Sequence, residues 1–316
     1  MMDINNEILK LDWKREPYGL YEPIEYTLAA GGKRVRPQLA MIACELFGGK
    51  AEEIAPAAMA LEVFHNFTLL HDDVMDHAEV RRGRPTVHVK WNENTAILSG
   101  DQMLIEAYKL LSGVPADKLP TILQLFNKMA TEICEGQQYD VDFESQEQVA
   151  IEEYLKMIRL KTAVLLATAL RMGSYIAGAS AEQQDMLYEF GINIGLAFQI
   201  QDDILDVWGN PETFGKAVGG DISCNKKTFV ALTATQLADA ATRQELGQWF
   251  KQTLSDNTEK IAAVKALYEQ AGTRTKCEEA VEQYTTQALH LLSLLPQNQA
   301  TEQLRQLANK LNARKN

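Results

Sequence analysis

Two short stretches each place three aspartates within five residues: Asp72-Asp73-Val74-Met75-Asp76 and Asp202-Asp203-Ile204-Leu205-Asp206. Residues four apart on a helix share one face and lie about one 5.4 Å turn apart. Asp72 therefore pairs with Asp76, and Asp202 with Asp206. Like charges at that spacing repel and destabilise a helix, so a counter-charge is implied. Carboxylate oxygens on one short face suit a hard divalent cation such as magnesium. Either stretch alone could be a solvated acidic helix end. Two copies, each at the end of a strongly apolar segment, point to a metal site. Magnesium usually bridges a few carboxylates to substrate phosphates, which makes a diphosphate the expected ligand. Unaided, a pair of unit charges 5 Å apart at an effective dielectric of 20 repels by about 3 kcal/mol; metal ions between them reverse the sign.

The basic residues are grouped as well. Gly31-Gly32-Lys33-Arg34-Val35-Arg36-Pro37 sets three cations behind two glycines, and Arg81-Arg82-Gly83-Arg84-Pro85 begins five residues after the first triad. Glycine lets backbone approach a ligand closely, and Arg and Lys bind phosphate oxygens. Each group also has a plainer reading, as a solvated loop for the first and a local salt-bridge network for the second. Lys161-Thr162 lies in an otherwise apolar helix, where the lysine binds a ligand or snorkels to water. Gly215-Lys216, Gly219-Gly220 and Asn225-Lys226-Lys227 follow the second triad as a glycine-rich, basic segment, the composition of a lid over phosphates. Gln199, and Gln137 with Asp140, are polar positions on apolar helices, open to function or to ordinary hydrogen bonding. Of the histidines, His65 stands seven residues before Asp72, nearly two turns, and faces the same way.

Helices must position these groups. Helical apolar spacing runs over Ala51–Asp76, Asn94–Ser112, Leu119–Tyr139, Ile151–Ala177 and Ala181–Val207, with further helices after Asn225. Gly48-Gly49, Gly83-Arg84-Pro85, Gly113-Val114-Pro115, Gly209-Asn210-Pro211 and Gly219-Gly220 punctuate them. No run alternates as a strand would; Val87-His88-Val89 is too short. No low-complexity linker divides the 316 residues, so one all-α domain over 1–316 is expected, its stretch from Asp256 forming a peripheral helical layer. The formal charge of -12 argues against a general nucleic-acid partner. Four dispersed cysteines contain no Cys-x-x-Cys pair and fit a reduced compartment. The polar start and the lack of any run of roughly 20 apolar residues predict a cytoplasmic protein without a membrane span.

In order along Gly31 to Thr228, these elements resemble the trans-isoprenyl diphosphate synthases (polyprenyl synthetases). The match comprises the Gly-Gly-Lys-x-x-Arg loop, the first aspartate motif with Arg81-Arg82-Gly83, Gly136-Gln137-x-x-Asp140, Lys161-Thr162, Phe198-Gln199 with the second motif, and Gly219-Gly220-Asp221 with Lys226-Lys227-Thr228. The resemblance implies long, roughly antiparallel helices around a deep central cavity, in a homodimer. It implies that Asp72, Asp73, Asp76, Asp202 and Asp206 serve three magnesium ions, with manganese able to substitute, and that Asp203 belongs to the metal site from a second layer. Arg81, Lys161, Lys216 and Gln199 would hold an allylic diphosphate, with Lys226 closing over it. Lys33, Arg36, His65 and Arg82 would hold isopentenyl diphosphate, and Thr162 would sit beside the reacting carbons.

The implied reaction ionises the allylic carbon–oxygen bond, adds the isopentenyl double bond to the cation, and loses a proton to the departing diphosphate. Product length should follow the helix before Asp72. Farnesyl-forming relatives carry paired aromatics at the fourth and fifth positions before the first aspartate; here the fourth is Thr68 and Phe67 stands alone, with Phe64 behind it. A floor at Phe67 and Phe64 implies geranylgeranyl diphosphate, with farnesyl diphosphate the alternative. A terpene cyclase would lack the second triad and the isopentenyl pocket, and a non-catalytic partner subunit would have lost part of the charged set.

Overall fold

The computed structural model describes residues 4–210, 218–252, 254 and 256–312. Among the described residues the chain is all-α apart from one two-stranded hairpin, and it groups into two compact units. Unit 1 comprises 1–128, 168–187 and 296–301; unit 2 comprises 129–167, 188–295 and 302–316. Four of the five divisions fall inside helices: α7 (Leu119–Ser145), α9 (Val164–Ile176), α10 (Ala181–Trp208) and α16 (Gln299–Asn312).

In unit 1, α4 (Ala51–Met75) is the central element, between α3 (Val35–Leu46) and α6 (Glu93–Leu111). Its middle reads Ala-Ala-Met-Ala-Leu-Glu-Val-Phe, apolar nearly all round, and Ile54, Ala57, Ala60, Leu61, Val63 and Phe64 are buried, as a core helix requires. Small residues allow close approach. A Cβ at Gly100 on α6 would fall 2.3 Å from His71 Nε2 on α4. Ser99 donates its hydroxyl to the carbonyl of Leu20 on α2 (Tyr18–Ala29) at 2.9 Å. Helix α4 stops at the first triad. His77 takes a left-handed conformation, φ +50, the Ala78 N–H donates to Asp73 O at 3.0 Å, and His77 N–H donates to Val74 O at 3.3 Å. This is a Schellman ending built without glycine.

The strand-free expectation needs one correction. Val80–Arg81 (β1) pairs antiparallel with Arg84–Pro85 (β2) through a two-residue turn. Both turn residues have positive φ, +52 for Arg82 and +72 for Gly83, the type I′ signature. Strands of two residues are too short for alternation to register, so only the glycine hinted at the turn. Val87-His88-Val89 lies in a helical turn, α5 (Val87–Lys90).

In unit 2, the expected helix over Ile151–Ala177 is interrupted. Helix α8 (Ile151–Ile158) passes into a π-helical turn, Arg159–Ala163, before α9. Two glycines permit it. A Cβ at Gly136 on α7 would lie 2.4 Å from Lys161 N and 2.8 Å from Leu160 C, and one at Gly195 on α10 would lie 2.6 Å from Ala163. Four further helices follow α11 (Gly220–Ser223): α12 (Phe229–Leu237), α13 (Ala240–Trp249), α14 (Thr258–Gln270) and α15 (Thr273–Ser293). Val264, Leu267, Tyr268, Cys277 and Val281 bury the contact of α14 and α15. Helix α16 (Gln299–Asn312) closes the described chain.

Candidate active site

Unit 1 gathers the first triad, the Gly31–Arg36 loop, His65 and the hairpin arginines. Asp72 lies in the last turn of α4, and Asp76 caps it, donating its N–H to Asp72 O at 2.8 Å. Carboxylates at a helix C-terminus face the negative end of its dipole, which adds to their mutual repulsion. Arg81 answers part of that charge. Its Nε donates to Asp73 Oδ1 at 2.6 Å, and its Nη2 lies 3.7 Å from Asp72 Oδ2. Burial raises the Asp73 pKa and Arg81 works against it.

Arg82 reaches the glycine loop and donates from Nη1 to Gly31 O. A Cβ at Gly32 would meet its guanidinium at 3.2 Å, so the glycine makes room for the arginine. His65 lies within the field of these arginines. Burial, then Arg36, Arg82, Arg81 and Arg34, hold its pKa well below 6.5, so the ring is neutral near pH 7 and can donate one N–H to an anion. Arg36 is half-buried; desolvation lowers its pKa to about 10, with Glu62 opposing the shift. Phe64 packs against Phe67 and Phe126 with ring centroids 5.4 and 5.2 Å apart, and Tyr108 adds to Phe126 at 5.1 Å. The Thr68 hydroxyl donates to His65 O at 2.8 Å.

Unit 2 gathers the remainder. The π turn carries Lys161 and Thr162. Lys161 Nζ donates to Asp140 Oδ2 at 2.6 Å, so the Gly-Gln-x-x-Asp element supplies the lysine's carboxylate partner. Thr162 Oγ1 donates to Gln199 Oε1 at 3.3 Å, and Gln199 Nε2 donates to Asp203 Oδ1 at 3.3 Å. Asp203 is buried; its Oδ2 accepts from Tyr154 Oη at 2.5 Å and from the N–H of Phe229 at 3.0 Å. Burial, then Asp221, raises its pKa well above the usual carboxylate value. Both oxygens of Asp203 are thus committed to protein donors. Asp206 accepts the Asp221 N–H on Oδ1 at 3.0 Å, and its carbonyl accepts the Gly219 N–H at 2.7 Å, which folds the Gly-Gly-Asp turn onto the end of the triad. Lys226 donates its N–H to Asp221 O at 2.9 Å. Lys216 lies outside the described residues.

A family model described as polyprenyl synthetase matches residues 17–270. The chain belongs to the polyprenyl synthetase family. This polyprenyl synthetase is 43% identical over 220 residues to a geranylgeranyl diphosphate synthase of Methanosarcina mazei, covering 69% of this chain and 68% of that protein. Among solved structures, a geranylgeranyl pyrophosphate synthase superposes with a TM-score of 0.93 at 44% identity over the full length of both chains. The corresponding synthetase from Pyrococcus horikoshii superposes with a TM-score of 0.92 at 35% identity over 99% of this chain and 95% of that one. As a member of this family the protein is a trans-prenyltransferase. Among its described residues no helix is long and apolar enough to cross a membrane.

The synthetase's acidic donors fit magnesium by chemistry: all are oxygens, placed at helix ends that favour cations. Among the described residues no three such side chains converge as a ready-made cage, in keeping with magnesium's habit of completing its shell with water and substrate phosphate. Sequence reasoning missed Tyr154 and Phe126. Tyr154 reads as an ordinary amphipathic-helix position 49 residues before its partner Asp203, and Phe126 backs Phe64 from a different helix; no local spacing could have flagged either.

Proposed function

We propose that this polyprenyl synthetase condenses isopentenyl diphosphate with allylic diphosphates, head to tail, to geranylgeranyl diphosphate. The observation that carries the reading is the full-length similarity to a geranylgeranyl pyrophosphate synthase, in a chain where both aspartate triads and both basic sets are intact. Lys33, Arg36, Arg82 and neutral His65 hold the isopentenyl diphosphate. Arg81, Lys161 and Gln199 hold the allylic diphosphate, Lys226 closes over it, and Lys216 joins them. As the carbon–oxygen bond breaks, these cations and donors stabilise charge developing on the leaving group. Asp72, Asp76, Asp202 and Asp206, with Asp73 beside them and Asp203 in support, hold three magnesium ions, which when bound add positive charge to that leaving group. Apolar walls exclude water that would quench the cation. Thr162 lies beside the reacting carbons, and the departing diphosphate takes the proton.

Phe67 and Phe64 form the floor that stops the growing tail, supported by the packing of Phe67 on Phe64 and of Phe64 on Phe126. A homodimer in the cytoplasm belongs to the same reading. Ile97, Leu98, Ile105 and Tyr108 on α6 are exposed and fall within an arc of about 100° at 3.6 residues per turn, a face that between them is apolar except for Asp101 and suited to a second copy; light scattering on the purified chain measures the mass. Incubation with labelled isopentenyl diphosphate, an allylic primer and magnesium, followed by chromatography of the dephosphorylated products, tests the reaction. A C20 alcohol is expected; a cyclic hydrocarbon or no elongation would reject it, and a C15 alcohol would make it a farnesyl synthase. Phe67→Ala should lengthen the product and Thr68→Phe should shorten it. Unchanged products from both folded variants would move the floor elsewhere.

A further inference from the structure

Beneath the glycine loop of unit 1 lies a buried polar cluster that the reaction above does not use. Arg34 adopts φ +47, ψ +42 at the start of α3, a left-handed conformation that non-glycine residues seldom take. Its side chain is almost fully buried and is held at three points. Nη1 donates to Glu62 Oε1 at 2.7 Å, Nη2 to Leu28 O at 2.6 Å, and Nε to Asn5 Oδ1 at 3.2 Å. Glu62 is 2% exposed and Asn66 0%; Asn66 Nδ2 donates to Glu62 Oε1 at 3.0 Å. A buried carboxylate is costly unless paired, and Glu62 is paired through one oxygen only: Oε2 is buried without a hydrogen-bond partner, as is Arg36 Nε. Glu62 stands three residues before His65, on the same face of α4, and its charge acts on both Arg36 and Arg82. One carboxylate thus lies among three arginines.

We infer that Glu62 is a positioning residue for isopentenyl diphosphate: by anchoring Arg34 it holds the Gly31–Arg36 turn in the left-handed form that sets Arg36 beside His65 and Arg82. The arginines repel one another, and without an internal anion they would splay apart or draw solvent ions before substrate arrives. Glu62 keeps them together in the free protein while leaving the cluster net cationic, so a diphosphate is still attracted. Preorganised donors cost less to align on binding. Glu62 acts through Arg34 and touches no substrate.

The inference rests on the proposed substrate, and its test separates the two. Isothermal titration with isopentenyl diphosphate, and separately with the allylic diphosphate, is run on the wild-type chain, Glu62→Gln and Glu62→Asp, beside thermal melts and steady-state kinetics. Glu62→Gln should weaken isopentenyl diphosphate roughly tenfold, the lower range for loss of a charge-assisted hydrogen bond. Allylic binding should change by less than about twofold, and kcat at saturation should be largely kept. Glu62→Asp, which retains the charge on a shorter arm, should recover part of the loss. Equal weakening of both substrates, or unchanged isopentenyl diphosphate binding in folded Glu62→Gln, overturns the inference. If Glu62→Gln does not fold, Arg34→Lys, which keeps the cation and loses the planar fork, carries the same comparison. A wild-type chain that binds isopentenyl diphosphate but elongates nothing removes the proposed function alone; one that does not bind it removes both.

Discussion

Asp73 and Asp203 occupy the same place in equivalent five-residue patterns, yet the two units surround them differently. In unit 1, Asp73 is paired with the Arg81 guanidinium, a cation that phosphate oxygens can also bind. In unit 2, Asp203 accepts from a tyrosine hydroxyl, a backbone N–H and a glutamine amide, neutral groups that belong to the scaffold. Burial raises both carboxylates; at Asp203 the Asp221 charge adds to the rise, whereas at Asp73 the Arg81 guanidinium opposes it. One motif thus serves two ends: in unit 1 the middle aspartate is tied to a hairpin guanidinium, and in unit 2 it ties Gln199 and the start of α12 to the triad. Shared spacing fixes which face the outer aspartates share, and says little about what the middle one does.

The largest effects should come from the outer aspartates, where the units are alike. Asp72→Asn and Asp202→Asn should each lower kcat by about a hundredfold or more, and excess chelator should abolish turnover; steady-state assays across magnesium concentrations check both. Should one of the two variants keep its rate, the triads are not equivalent even at their outer positions.

Next comes a split between the basic sets. Arg36→Ala in unit 1 should weaken isopentenyl diphosphate, and Lys161→Ala in unit 2 the allylic diphosphate, each by roughly tenfold to 150-fold, the range for a lost charged hydrogen bond. KM values for both substrates decide the matter, and parallel rises for either variant would erase the division of labour. A smaller effect should mark the scaffold role of Asp203. Tyr154→Phe deletes one of its donors and should cost about 1–2 kcal/mol in urea unfolding. An unaltered midpoint would leave the Tyr154 contact without energetic weight.

The smallest is a pH effect assigned to unit 1. His65 has a folded pKa well below 6.5, so between that value and 6.5 the unfolded chain binds more protons than the folded one. Its stabilising contribution is complete above pH 6.5 and is lost as pH falls toward the folded pKa, with a slope of at most about 1.4 kcal/mol per pH unit. His65→Gln should flatten the fall in stability below about pH 6.5, read from denaturation midpoints at several pH values. An equally steep fall in the variant would assign the acid sensitivity to other groups.

Much of this was legible in the residues themselves. The helices announce themselves through apolar periodicity, and the triads through charge at positions where a core helix has none to spare. What stayed hidden depended on long-range burial. The Gly-Gly-Lys loop offers three cations, and nothing local tells that Arg34 turns inward to Glu62 while Arg36 lies beside His65. Glu62 reads as one polar residue in an apolar helix. Asp203 looks like its neighbour Asp202 until Tyr154 closes on it. The hairpin at Arg82-Gly83 was invisible because its strands are two residues long.

The π turn at Arg159–Ala163 has a consequence for how this chain can vary in length. Such a turn amounts to one residue inserted into an α-helix, and at 3.6 residues per turn one residue rotates everything beyond it by about 100°. Deleting any single residue from 159–163 would let the hydrogen-bond ladder run straight and would improve the helix as a helix. It would also swing Lys161 and Thr162, or the whole of α9, away from the headings that Gly136 and Gly195 accommodate. The locus is one where the more regular polymer would be the poorer catalyst, so insertions and deletions tolerated in the loops elsewhere should be excluded there.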